Sequence, residues 1–282
     1  MLSGILLTLA AAACFECSYV LQALEVRAVP EMRRASVGGL RRLASRPVWL
    51  VSIALSLAGF GLQVLALRHV PLSLVQPLLA TGLLGLLAFS ATVLGERVGR
   101  REVGAVVAIV AGVSLIALAD PQRGTDATPG LAFVLVAVAL GLLASSAFVL
   151  RRPGGGELLA GAIAADALAS LASAQAARAL PAVLPAAGWC ALAAAGGVAA
   201  IAAESAVLQR RGAARVAPVV LAGQVAVPVA LAPLVIGERW GSPELVVCGL
   251  ALVIAGSALL ASSAGVSRLA LGNAEDEVGG GR

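Results

Sequence analysis

The stretch Pro71–Arg101, PLSLVQPLLATGLLGLLAFSATVLGERVGRR, is an apolar run of membrane length with a proline at its start, a Gln-Pro pair inside it and a Gly-Glu-Arg stop. The pattern returns, altered, in Ala214–Arg239, ARVAPVVLAGQVAVPVALAPLVIGER. A hydrophobic hairpin written twice in one chain is the mark of a duplicated membrane protein, so the pair predicts an all-α integral membrane fold.

Composition points the same way. Sixty per cent of the 282 residues are apolar and only 12% are charged, where a soluble domain carries about 25% charge. No stretch between the apolar runs is long enough for a soluble domain. The reading is one polytopic membrane domain over 1–262, made of a first half 1–119, a linker 120–129 and a second half 130–262. The tail 263–282, closing on AEDEVGGGR, reads as polar and disordered.

All 20 cations are arginine and the formal net charge is +5. With 3% aromatic residues there are too few rings for base stacking, so nucleic acid is not an expected partner. The bilayer is. Cys14, Cys17, Cys190 and Cys248 all lie in apolar segments, which argues against a disulfide framework. The Cys14-Phe15-Glu16-Cys17 spacing, without a second pair or a histidine, reads as helix packing rather than a metal site. Leu9–Cys14, LAAAAC, loosely resembles a lipoprotein cleavage site, but no arginine precedes Arg27, so a retained first helix is expected. No cofactor motif is present.

The apolar runs predict about nine transmembrane helices: Gly4–Leu24, Val48–Leu67, Pro71–Leu94, Glu102–Ala119, Gly130–Leu150, Glu157–Ala177, Ala186–Leu208, Ala214–Ile236 and Leu245–Ala261. Arg68-His69-Val70 reads as a tight turn. Gly104, Ala108 and Gly112 recur every four residues and predict a close helix contact. Placing the basic loop after helix 1 in the cytoplasm puts 16 of the 20 arginines inside and four (Arg68, Arg123, Arg178, Arg239) outside. The positive-inside rule then orients the chain with its N-terminus outside and its C-terminus in the cytoplasm.

Spacing turns the duplication into an inverted one. Gln63 precedes Pro77 by 14 residues and Glu204 precedes Pro218 by 14; Pro77 lies 18 before Gly95 and Pro218 lies 19 before Gly237. The two Gly-Glu-Arg turns fall on opposite membrane faces, so helices 2–4 and 7–9 are expected to be inverted copies. The repeat is imperfect: helices 1 and 5 run the same way, and helix 6 has no counterpart.

PLSLVQP followed by Leu-Gly-Glu-Arg and a glycine-spaced helix resembles the drug/metabolite transporter superfamily in its EamA-like members. Nine helices, a basic segment after helix 1 and the pattern around Trp49 resemble its NIPA-type magnesium-transporter branch more closely. Val216-Ala217-Pro218-Val219 matches that branch's second-half Val-x-Pro-Val. Gly59-Phe60-Gly61-Leu62-Gln63 stands where the branch carries Gly-Glu-x-x-Asn, so Phe60 replaces its acidic residue. The resemblance therefore implies a transporter first and a magnesium transporter second. It also implies a multi-pass protein of the plasma membrane, of bacterial inner-membrane type.

Three carboxylates fall inside apolar spans, where a charge costs about 3 kcal/mol or more unless paired, protonated or hydrated. Asp166, with Ser170 and Ser173 on its face, could line a solute cavity or simply bond neighbouring helices. Glu204 occupies the repeat position of Gln63, which suits either a central site or a structural bridge to Arg210 or Arg211. Glu16 is flanked by Ala12 and Ala13, which also suits tight packing. Pro77, Pro218 and Pro228 each free a carbonyl one turn back and could kink or gate their helices. Gln76 and Gln224 could satisfy those carbonyls or bind solute. Glu96-Arg97 and Glu238-Arg239, at helix ends, read as caps or inter-loop pairs.

The expected function is secondary transport of a small solute by alternating access. The candidate substrate residues are Asp166, Glu204, Gln63, Gln76, Gln224, Ser170, Ser173 and Glu16. The alternative is a NIPA-like magnesium or divalent-cation transporter, with a small molecule or ion as partner either way and a homodimer left open. A membrane enzyme acting on lipid intermediates is the remote third reading, opposed by a single histidine and the lack of a catalytic motif.

Overall fold

A computed structural model describes residues 1–27, 46–82, 84–85, 99–123, 130–149, 155–211 and 213–261. Glu96, Arg97, most of the basic segment after the first helix and the tail lie outside them. The described residues form nine helices: α1 (Leu2–Arg27), α2 (Pro47–Ala66), α3 (Leu72–Ala80), α4 (Arg100–Leu118), α5 (Leu131–Val149), α6 (Gly155–Ala179), α7 (Val183–Arg211), α8 (Ala213–Val235) and α9 (Pro243–Ala261). Five of them are long and apolar enough to cross a membrane: α2, α4, α6, α7 and α9. Large apolar side chains such as Leu57, Val107, Leu142, Val198 and Val247 are exposed on the helices. Surfaces of this kind suit a lipid surround, because water would not tolerate so much contiguous apolar area.

Small residues set the packing distances. A Cβ on Gly112 would stand 2.5 Å from the carbonyl oxygen of Gly249, and one on Gly256 would stand 2.7 Å from that of Ala105. Helices α4 and α9 thus cross antiparallel with backbone on backbone, which only glycine permits. The face used runs through Ala105, Ile109, Gly112 and Ile116. The expected stripe of Gly104, Ala108 and Gly112 is corrected to that extent: Gly104 is exposed and touches nothing among the described residues.

Helices α1 and α2 form an antiparallel pair stapled by polar contacts. Ser18 Oγ donates to the Ser52 carbonyl and lies against Ser56 Oγ, both at 2.6 Å, while the Phe15 ring closes over Gly59. The chain then turns tightly at Arg68–Val70, where the His69 amide reaches the Ala66 carbonyl at 2.8 Å.

The helix expected over Pro71–Leu94, of which 71–82 and 84–85 are described, is disturbed after its proline. Its first segment stops at Ala80, the backbone turns at Thr81, and helical backbone returns at Gly82. Pro77 has no N–H for the Ser73 carbonyl, and the Thr81 hydroxyl takes the Leu78 carbonyl at 2.6 Å. The segment α3 is therefore ~14 Å long at 1.5 Å per residue, about half a hydrocarbon thickness.

The linker expected at 120–129 is fastened where it begins. Asp120 takes a left-handed backbone (φ 48°), which an aspartate tolerates better than most residues at a helix end. Gln122 then exchanges backbone hydrogen bonds with Arg239 at 2.7 and 3.1 Å, and the Gly241 amide reaches the Ala119 carbonyl at 3.0 Å. The loop after α4 is thus stitched to the loop after α8. Residues 124–129 lie outside the described part.

Candidate functional site

Helix α6 is the most buried of the five long spans. Of its span 67% is buried, against 22% to 33% for the other four long spans. Its sequence explains how. Alanine at most positions lets neighbours approach until glycines meet its backbone: a Cβ on Gly196 of α7 would lie 2.9 Å from the Ala165 carbonyl, and one on Gly223 of α8 would lie 2.5 Å from the Ile163 side chain. Helices α5, α7 and α8 thus enclose α6.

Its polar face carries Asp166, Ser170 and Ser173. Ser170 is buried and accepts a 2.8 Å hydrogen bond from Gln76 Nε2 of α3. This joins two of the predicted site residues across the two halves. Ser173, also buried, donates to the Ala169 carbonyl of its own helix at 2.8 Å. Asp166 is half-buried one turn before Ser170 and has a partner of its own. The Gln76–Ser170 bond lies about one turn before the irregular turn at Thr81, so the polar face of α6 meets α3 close to the point where its helix is disturbed. Such discontinuities expose backbone groups where a ligand can use them.

Glu16 comes to the same irregular turn from α1. Its Oε1 would lie 2.7 Å from a Cβ on Gly82, so the missing side chain at Gly82 is what makes room for the carboxyl. Gln63 is buried on α2 and Gln224 half-buried on α8, without a direct bond to Gln76 or Ser170. Pro77 and Pro228 are buried in their helices. Glu204 lies within α7 and Pro218 within α8, with side chains outside the described residues. Among the described residues no three His, Cys, Asp or Glu side chains gather as metal ligands would. A divalent-cation site therefore draws no support from this geometry.

A heavily bonded carboxylate is one that sequence reasoning set aside as a cap or inter-loop pair. Glu238, only 4% exposed, follows α8 and reaches the first turn of α3. There it accepts the Leu72 amide at 2.5 Å, the Ser73 amide at 3.1 Å and the Ser73 hydroxyl. Trp240 Nε1 donates to that same hydroxyl oxygen at 3.0 Å. Two of the four arginines expected outside act on it: Arg178, whose Nη2 donates to the Ile236 carbonyl at 2.6 Å, and Arg123, whose Nη1 donates to the Arg68 carbonyl. Burial lifts the Glu238 carboxyl above the usual glutamate range, and the Ser73 and Leu72 donors and the Arg178 charge offset this only in part. The capping role was foreseeable, since the motif ends a helix. Its partner was not, because nothing in the sequence says which helix start lies opposite.

Gln175 was missed altogether. It is 1% exposed on α6, and its Oε1 has no hydrogen-bond partner among the described residues. An amide in a run of alanines was the available signal. No family model, curated protein or solved structure matches this chain.

Proposed function

We propose that the protein is a secondary transporter that moves a small solute across the plasma membrane by alternating access. The observation that carries this reading is the meeting of α3 and α6. The α3 helix turns irregularly at Thr81, about one turn from the buried Gln76–Ser170 bond on the face that also carries Ser173 and the half-buried Asp166, and the Glu16 carboxyl reaches the same turn at Gly82. Polar groups in a bilayer are costly, and here Gln76, Ser170 and Glu16 come to one disturbed stretch of helix, the kind of backbone that solute sites in transporters use. Nothing in a purely structural bundle requires that convergence.

The inverted repeat is part of the proposal. In its support, α3 and α8 each begin five residues before the repeated proline, Leu72 before Pro77 and Ala213 before Pro218. The repeat-related helices α4 and α9 also cross near their midpoints on glycine. The nine helices are taken as nine spans, oriented by the arginine bias with the Glu238 cluster outside. Rocking of α2–α4 against α7–α9 around α6 would open the site to each side in turn. The drug/metabolite-transporter likeness rests on the residues quoted for it.

The test combines two steps. A thermal-stabilisation screen of purified protein against metabolites and divalent cations identifies a solute, whose uptake is then measured in proteoliposomes. Asp166→Asn is expected to abolish uptake with the protein still folded. Uptake at the parent rate would remove Asp166 from the mechanism.

A further inference from the structure

Resting on that transport reading, we propose that Glu238 is the latch of the outer gate. Its carboxylate pins the half-helix α3 to the loop after α8 while the site is shut from outside, and it releases that helix when the site opens outward.

Three features of the contact carry this. The first is its place. Glu238 belongs to the second half, and the donors it binds, the Leu72 and Ser73 amides, belong to the first. Rocking separates these two halves, and the bond spans the line of separation at the end of α3 remote from the irregular turn at Thr81. The second is chemistry. Below the latch α3 packs through Leu74, Val75 and Leu78 in one apolar cluster with Val225, Ala232 and Val235, which holds without direction. The latch is directional, and each of its groups can exchange its partner for water on opening. A buried carboxylate held by amides at a helix start sits near energetic balance, since desolvation opposes the hydrogen bonds and the helix dipole. A contact of that kind suits a switch better than a staple.

The third feature is the helix it holds. Pro77 removes the bond that the Ser73 carbonyl would otherwise receive, and the irregular turn at Thr81 weakens the regular helical tie between α3 and the backbone that resumes at Gly82. Glu238 is therefore the anchor of a short segment that is weakly tied to its own continuation. Arg178 from α6, through the Ile236 carbonyl, and Trp240, through the Ser73 hydroxyl, hold the latch in place. Glu238 is a positioning residue and does not touch the solute.

The experiment reads the conformation directly and needs no substrate. In a background with the four cysteines replaced, Ser173→Cys, buried beneath the latch on α6, is labelled by a membrane-impermeant thiol reagent applied outside intact cells. A second labelling is applied from the inner face of everted vesicles. Glu238→Ala is expected to raise the outside rate about tenfold, on the scale of losing hydrogen bonds to a charged group, and to lower the inside rate. Glu238→Gln, which keeps the shape and an acceptor, and Trp240→Phe are expected to raise it less. Unchanged outside rates in monodisperse Glu238→Ala and Glu238→Gln proteins would overturn the latch while leaving transport standing. A reporter unreactive from both faces in every variant would overturn the transport reading and the latch with it.

Discussion

At Glu238 a glutamate that follows one helix completes the start of another. Four backbone N–H groups at a helix start lack partners within the helix, and Pro71 at the head of α3 has no side-chain acceptor to offer. Glu238 supplies one from elsewhere in the chain. Glu238→Ala should therefore destabilise the folded protein by about 1–3 kcal/mol, because two amides are left buried without acceptors. Thermal unfolding followed by size exclusion in detergent measures this. Its titration gives a second check. Since burial raises the folded-state value, the folded protein holds the proton over a range where the unfolded chain has lost it. The contribution to stability is then full below the ordinary glutamate value of about 4.3, and is lost as pH rises through the raised value. Replacing Glu238 with glutamine should remove that slope. The sequence announced Gly-Glu-Arg as a helix stop, and Gly237–Arg239 follows the end of α8, while Gly95–Arg97 lies outside the described residues. It could not announce α3 as the partner, because the spacing of a repeat records recurrence along the chain and not proximity across it.

Elements were more legible than their interruptions. Each of the nine apolar runs corresponds to a helix in the described residues, since length and hydropathy act locally. A disturbance at Pro77 was legible, but its place at Thr81 was not, as Leu78–Gly85 contains no proline; the Thr81 hydroxyl, bonded to the Leu78 carbonyl, helps to set it there. The close face of α4 was placed one residue off, on Gly104 instead of Ala105. Small residues occur on both faces, and only the position of α9 decides between them. This yields a paired prediction. Gly249→Val must push against the Gly112 carbonyl and Ile116, and should cost about 1–3 kcal/mol or prevent folding. Gly104→Val, which meets nothing among the described residues, should stay within about 0.5 kcal/mol of the parent. Equal effects of the two in a thermal-shift series would contradict the crossing of α4 and α9.

For the molecule as a whole, membrane residence and helical architecture followed from composition, whereas the centrality of α6 did not. Its alanines give no amphipathic signal, and its burial is a property of α5, α7 and α8 around it. Asp166, Ser170 and Gln76 were each legible as polar residues in apolar runs, but the meeting of Gln76 with Ser170 required the fold. If the account is right, Gln76→Ala, which unties α3 from α6, should weaken solute affinity without unfolding the protein. A thermal-stabilisation titration with the solute found by screening reads the loss, and an unchanged titration would remove Gln76 from the site.

The central claim is that one site is exposed alternately to the two faces, and counterflow in proteoliposomes tests it most directly. Liposomes are preloaded with excess unlabelled solute and the entry of labelled solute is measured over time. The account predicts transient accumulation of label above its equilibrium level, driven by exchange through the central site and lost in Asp166→Asn. Label that enters no faster than into empty liposomes, or that equilibrates at the same rate with and without preloading, would contradict it.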